Sequence, residues 1–254
     1  MDPFDEPGQD GEREFETLDS PFTDITEALD FTESGLESIE RELGYGRGEF
    51  LGEAFDRVER TEFERGAGSW TSAAVQMRDG DVTLLYEHDI TRETMAHEGV
   101  HGKMKQPDGE VDLPGDDLYE QSVYEEFVAR IAENLVGTDN VYEEEIERLR
   151  EDREDYFEKR EEADRLGDFT GLYGDLVEIE AMDGEEGDKL YGAIESYQER
   201  RENVLAGVAA DRYTDRHSVD VKEFIDPDEE VYREAVDFIE EVERELHSDD
   251  RFPV

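Results

Sequence analysis

The sequence predicts an α+β protein, mostly helical, with a small antiparallel hairpin ahead of one helix and a helical C-terminal half. Three observations carry this. Residues 81–86 (Asp-Val-Thr-Leu-Leu-Tyr) are rich in β-branched and aromatic side chains and follow the Asp79-Gly80 turn signal. Apolar residues recur at helical spacing over 118–136 and again over 231–246. Beyond Gly137 every patterned stretch has the helical period.

In chain order, residues 1–20 are polar, acidic and expected to be disordered. Ile25, Ala28, Leu29, then Leu36, Ile39 and Leu43, indicate one or two helices with Gly35 as a weak point, and Gly44, Gly46 and Gly48 mark a loop. Residues 50–63 fit helix and strand equally. Residues 69–77 and 81–86 form the hairpin, and one of its strands should be an edge. Thr91 suits a helix N-cap, Glu93 lies in the first turn, and Pro107 with Gly109 marks the far end. After a loop through Pro114 and Gly115, Val123, Phe127, Val128, Ile131, Ala132 and Leu135 give the next helix, 118–136. Tyr142, Leu149, Tyr156 and Ala163 repeat every seven residues, but Arg153 and Arg160 interrupt the seam, so a long solvated helix is expected there. A further helix spans about 189–212. Asp226 as N-cap, Pro227 at the first helical position and Glu229 at the third open the last helix. The expected division is 1–20, a metal-site domain over 21–137, and a helical region over 138–254 packing on it.

The chemistry is concentrated in residues 97–101, His-Glu-Gly-Val-His, a complete HExxH motif in a chain with five histidines. In a random chain of this length and composition the pattern arises about 0.02 times. Four helical residues turn the chain about 400° and lift it about 6 Å, so His97 and His101 share one face. That spacing suits two imidazole nitrogens on one tetrahedral zinc at about 2.0–2.1 Å. Glu98 lies about 100° around the helix from His97 and suits a general base acting on water. The strand before the motif helix provides the expected structural setting.

A catalytic zinc takes three protein ligands and keeps one position open. The helix over 118–136 offers Glu120, Glu125, Glu126 and Glu133. Here the chain resembles the gluzincin metallopeptidases, in which a second helix donates a glutamate, often as Glu-x-x-Ala. The matching stretch is Glu126-Phe127-Val128-Ala129. The resemblance covers residues 70–136 and implies a zincin-like core, Zn2+ as cofactor and Glu126 as third ligand, with Glu125 as its competitor. It also implies that the strand preceding the motif helix holds an extended substrate, and it offers His217 as a transition-state donor. Arg130 departs from the family, in which some members place an acid or asparagine there, and leaves the groups behind the histidines unassigned. Of the other histidines, His88 lies at the strand end, where it could approach the cleft, and His247 is expected at the surface.

Composition sets the environment. Lys+Arg total 26 against Asp+Glu 76, a formal charge of −50. Such a chain repels itself in dilute buffer, whereas at molar salt the Debye length is only about 3 Å. The acid is spread end to end, as in proteins of salt-accumulating halophiles. With no basic patch to release counterions, phosphate-driven binding to nucleic acid is not expected. Cysteine is absent, which removes disulfides and thiolate ligands. The residues Met1-Asp2-Pro3-Phe4-Asp5-Glu6 lack the basic and apolar regions of a signal peptide, and no apolar run approaches a membrane span. A cytoplasmic, salt-adapted protein with no membrane contact is the expectation.

Two functions follow. The first is zinc-dependent hydrolysis of protein or peptide substrates, as an endopeptidase rather than an exopeptidase. Some small intracellular gluzincins, similar in motif, act on one partner protein, and a regulatory protease of narrow range would fit here too. The second is a helical interaction protein whose metal site is structural or silent, in keeping with a C-terminal half that carries no visible chemistry.

Overall fold

The computed structural model describes residues 25, 26, 29, 31–61, 73–78, 80–87, 90–105, 113, 114, 118–137 and 185–248. The expectations for residues 1–20, Ala28, His88, the 107–109 loop and the 142–163 heptads lie outside them.

Helix α1 (Glu33–Glu42) starts at Thr32, whose hydroxyl accepts the Gly35 N–H at 3.1 Å. Gly35 therefore sits in a capped first turn rather than at a break. Leu36 and Ile39 are buried on its inner face, and so is the charged Glu40. The Glu40 carboxylate accepts N–H groups from Gly48 at 2.6 Å, Phe50 at 3.1 Å and Leu51 at 2.9 Å. Three donors offset much of the cost of burying this charge. They also fold the loop back so that the short helix α2 (Leu51–Ala54) begins against the core.

Strands β1 (Arg57–Arg60), β2 (Ala73–Arg78) and β3 (Asp81–Tyr86) form one mixed sheet in the order β1-β3-β2. The expected hairpin is β2–β3, antiparallel in register Arg78↔Asp81, with Gly80 at φ +89° in its turn. β3 is central, and Val82, Thr83, Leu84 and Leu85 are all buried. Among the described strands β2 is the edge of the hairpin, and β3, which leads into the motif helix, is paired on both sides. The sheet also differs from a simple antiparallel hairpin, because β1 pairs parallel to β3. β1 reads Arg-Val-Glu-Arg, too charged to register as a strand. It is held by its backbone ladder, by an Arg57–Asp81 ion pair, and by Asp56, whose carboxylate accepts the Val82 N–H at 2.8 Å. Within the 50–63 segment, residues 51–54 are thus helix and 57–60 strand, and residues 62 and 63 lie outside the described residues.

Helix α3 (Arg92–Met104) opens with Thr91 accepting the Thr94 N–H at 3.2 Å. Helix α4 (Leu118–Val136) has the bounds its periodicity predicts, and Val123, Phe127, Val128, Ile131 and Ala132 are buried. The two run antiparallel, with Glu93 beside Gly137 at one end and His101 beside Glu125 at the other. Helix α5 (Glu185–Arg216) covers the opposite side of α4, where Ser122 donates to Glu202 at 2.7 Å and Asn134 to Asp211 at 2.8 Å. Helices α6 (Val221–Ile225) and α7 (Glu229–Ser248) complete one hydrophobic cluster reaching from Ile25 to Leu246. Among the described residues no helix is long and apolar enough to cross a membrane.

The start of α7 lies two residues later than its sequence suggests. Asp226 ends α6 as its C-cap, and Asp228 caps α7 by accepting the N–H groups of Glu230 at 3.0 Å and Val231 at 2.9 Å. Two adjacent helices compete for the same acidic run, and the first takes Asp226.

Two glycines inside the motif helix set how closely α2 approaches. A Cβ at Gly99 would lie 2.6 Å from the Phe50 ring, and one at Gly102 would lie 2.5 Å from the Ala54 carbonyl oxygen. In an exposed helix Gly→Ala stabilises by about 1 kcal/mol. Here the sign should reverse: Gly99→Ala is expected to destabilise by about 1–3 kcal/mol in denaturant titrations at molar salt. A stabilised variant would mean that Phe50 does not press on this helix.

Candidate metal centre

His97 and His101 project from one face of α3 towards α4, where Glu126 meets them. His97 Nε2 lies 3.1 Å from His101 Nε2 and 3.6 Å from Glu126 Oε2, and His101 Nε2 lies 3.4 Å from the same oxygen. A tetrahedral ion with ligands at about 2.0–2.1 Å holds them about 3.3–3.4 Å apart. The three atoms therefore form one face of such a tetrahedron, and the remaining vertex is the position a catalytic site keeps open. The side chains are 12–15 % exposed, so the three ligand atoms are largely shielded from solvent.

The far side of each imidazole also faces a carboxylate. His101 Nδ1–H donates to Glu125 Oε1 at 2.7 Å, which turns Nε2 towards Glu126. His97 Nδ1 has Glu133 Oε2 at 3.4 Å, out of line for a hydrogen bond. Arg130 lies between the two acids of α4, donating from Nε to Glu126 Oε1 at 2.8 Å and from Nη1 to Glu133 Oε2 at 2.8 Å. Lys105 reaches Glu125 at 3.5 Å.

Glu98 is 6 % exposed and lies beside His97 on the same turn of α3. A carboxylate one residue from a ligand suits the role of taking a proton from water. Charge adds a second test of fit. Glu98, Glu125, Glu126 and Glu133 stand against Arg130 and Lys105, leaving two negative charges with the histidines neutral. One divalent cation balances them.

Without an ion, a proton supplies part of that balance. Burial alone would lower the pKa of His101, but Glu125 and Glu126 outweigh it and raise it to about 10. Burial pushes the carboxyls of Glu125 and Glu126 up, yet both are held below the ordinary carboxylate range. His101 and Lys105 do this for Glu125, and His97, Arg130 and His101 do it for Glu126.

Of the residues singled out in the sequence, His97, His101 and Glu126 come together with Glu98 on the same helical turn. Glu125 occupies the back of His101, on the nitrogen opposite Glu126. His217 stands apart: it is exposed beyond the end of α5 and stacks on Tyr213, ring centroids 4.4 Å apart. Glu133 and Arg130 were not assigned from sequence. Their signal is the spacing Glu126, Arg130, Glu133, one face of a helix, with the arginine as its informative member.

Compared with protein-family models, curated proteins and solved structures, the chain matches none. The resemblance to gluzincins thus rests on the HExxH helix and the acidic helix after it.

These shifts fix a stability profile for the metal-free protein. A histidine raised to about 10 stabilises fully below its unfolded value of 6.5, and that contribution is lost as pH rises through 10. Carboxyls held below 4.5 stabilise above that value and lose their contribution as pH falls. Thermal unfolding of chelator-treated protein should therefore be highest between about pH 4.5 and 6.5 and should decline from 6.5 to 10. Zinc-loaded protein, with His101 deprotonated by ligation, should show no such alkaline decline. Parallel curves with and without metal would contradict the pairing.

Proposed function

We propose that the chain is a zinc-dependent peptidase, adapted to a salt-rich cytoplasm, that hydrolyses protein or peptide substrates. The observation that carries this reading is the spacing of His97 Nε2, His101 Nε2 and Glu126 Oε2, which fits three vertices of one zinc tetrahedron. His97, His101 and Glu126 would hold the ion. When bound, zinc lowers the pKa of water towards about 7 and offers positive charge where a carbonyl oxygen becomes negative.

The remaining steps belong to the chain's own groups. Glu98 accepts the proton from water as it attacks the peptide carbonyl, then returns it to the departing amine nitrogen. Glu125 keeps His101 oriented and holds the Nδ1 proton, so the ring does not swing from the site. The low exposure of Glu98 limits the water around it, which strengthens each of these interactions.

Glu98→Gln separates the base from the ligands. It should retain stoichiometric zinc and lose about 10²–10⁴-fold in cleavage of a peptide library in molar KCl. A variant that cleaves as fast as the parent contradicts the role of Glu98. Zinc-loaded parent protein that cleaves nothing favours a structural site.

A further inference from the structure

We propose that Arg130 is a positioning residue that restricts Glu126 to a single ligating oxygen and keeps Glu133 off the metal. The inference rests on the zinc site proposed above and concerns how the fourth position stays open.

A glutamate can ligate through one oxygen or through both. Glu126 Oε2 faces the two imidazole nitrogens at 3.4 and 3.6 Å, while Oε1 accepts the Arg130 Nε–H at 2.8 Å. An oxygen occupied by a guanidinium N–H at that distance is drawn away from a cation on the other side. The second arm of the fork, Nη1, holds Glu133 Oε2 at 2.8 Å, behind His97 on its Nδ1 side. Without the fork, two carboxylates of α4, both 13 % exposed, would repel each other and compete for the ion. Either outcome, a two-oxygen Glu126 or an added Glu133, would fill the position a substrate or water needs. The guanidinium suits this work because its donors are fixed in one plane and bridge two acceptors, which an ammonium does not reproduce. Arg130 reaches Glu126 across one helical turn and Glu133 across slightly less, so α4 itself sets the geometry.

The test uses the full chain in molar KCl with zinc(II) and cobalt(II) as probes, read by competition with a chelating dye and by visible absorption. Cobalt(II) in a four-coordinate site absorbs far more strongly than in sites of higher coordination, so its spectrum reports coordination number. Arg130→Gln frees carboxylate oxygens for the ion, so it is expected to lower the cobalt absorption several-fold while zinc affinity does not fall. Arg130→Lys, which keeps the charge but does not bridge two acceptors, should lower the absorption as well. In a Glu133→Gln background, where only Glu126 can supply the further oxygen, Arg130→Gln should still lower the absorption. An unchanged cobalt spectrum in Arg130→Gln, full parental absorption in Arg130→Lys, or no effect of Arg130→Gln in the Glu133→Gln background would each overturn the proposal. Parent protein that binds neither metal overturns the zinc reading and this one together. Parent protein that binds zinc but cleaves nothing removes only the peptidase reading, and the Arg130 comparisons still decide the clamp.

Discussion

The antiparallel packing of α3 on α4 is the contact on which the rest of the structure depends, because it brings two imidazoles and several carboxylates into one partly covered space. Buried charge is tolerated only when paired, and one unpaired carboxylate costs several kcal/mol. Of the three acids of α4 that face α3, Glu125 has His101 and Lys105, while Glu126 and Glu133 share Arg130. What remains is negative: a proton on His101 offsets part of it, and one divalent ion would balance it. The arrangement that makes the helix pair stable is thus the one that makes it receptive to a cation.

The surrounding fold exists to keep those two helices in register. On one side, the buried carboxylate of Glu40 gathers the 48–51 backbone and seats Phe50 and Leu51 against Gly99. On the other, α5 covers the far face of α4 through buried apolar contacts and through the Ser122–Glu202 and Asn134–Asp211 hydrogen bonds. α4 is buried along most of its length, so its glutamates cannot turn away from α3 without exposing Phe127 or Ile131. Rotation of this helix is what the hydrophobic core forbids.

Much of this was legible in the chain, where period and chemistry coincide. The bounds of α4, the Thr91 cap, the hairpin turn at Gly80 and the pairing of His97 with His101 all follow from local pattern. The parallel strand β1 did not, since Arg-Val-Glu-Arg is stabilised by a distant ladder rather than by its own composition. The start of α7 was misplaced because Asp226 serves the helix before it. Within the site, the choice between neighbouring glutamates depends on which imidazole nitrogen each one faces, and that is a matter of helix rotation that spacing alone leaves open. Arg130 read as a departure from a family pattern, whereas its place between Glu126 and Glu133 appears only when one face of α4 is laid against α3.

His97 Nε2, His101 Nε2 and Glu126 Oε2 are proposed to hold one ion, so the most direct measurement is metal content per chain. Parent protein, Glu125→Gln and Glu126→Gln would be loaded with zinc, passed into metal-free molar KCl and assayed by elemental analysis. One zinc per chain in the parent, substantial zinc in Glu125→Gln and almost none in Glu126→Gln is the expected result. A parent without zinc, or a Glu126→Gln protein that keeps it while Glu125→Gln loses it, would contradict the assignment.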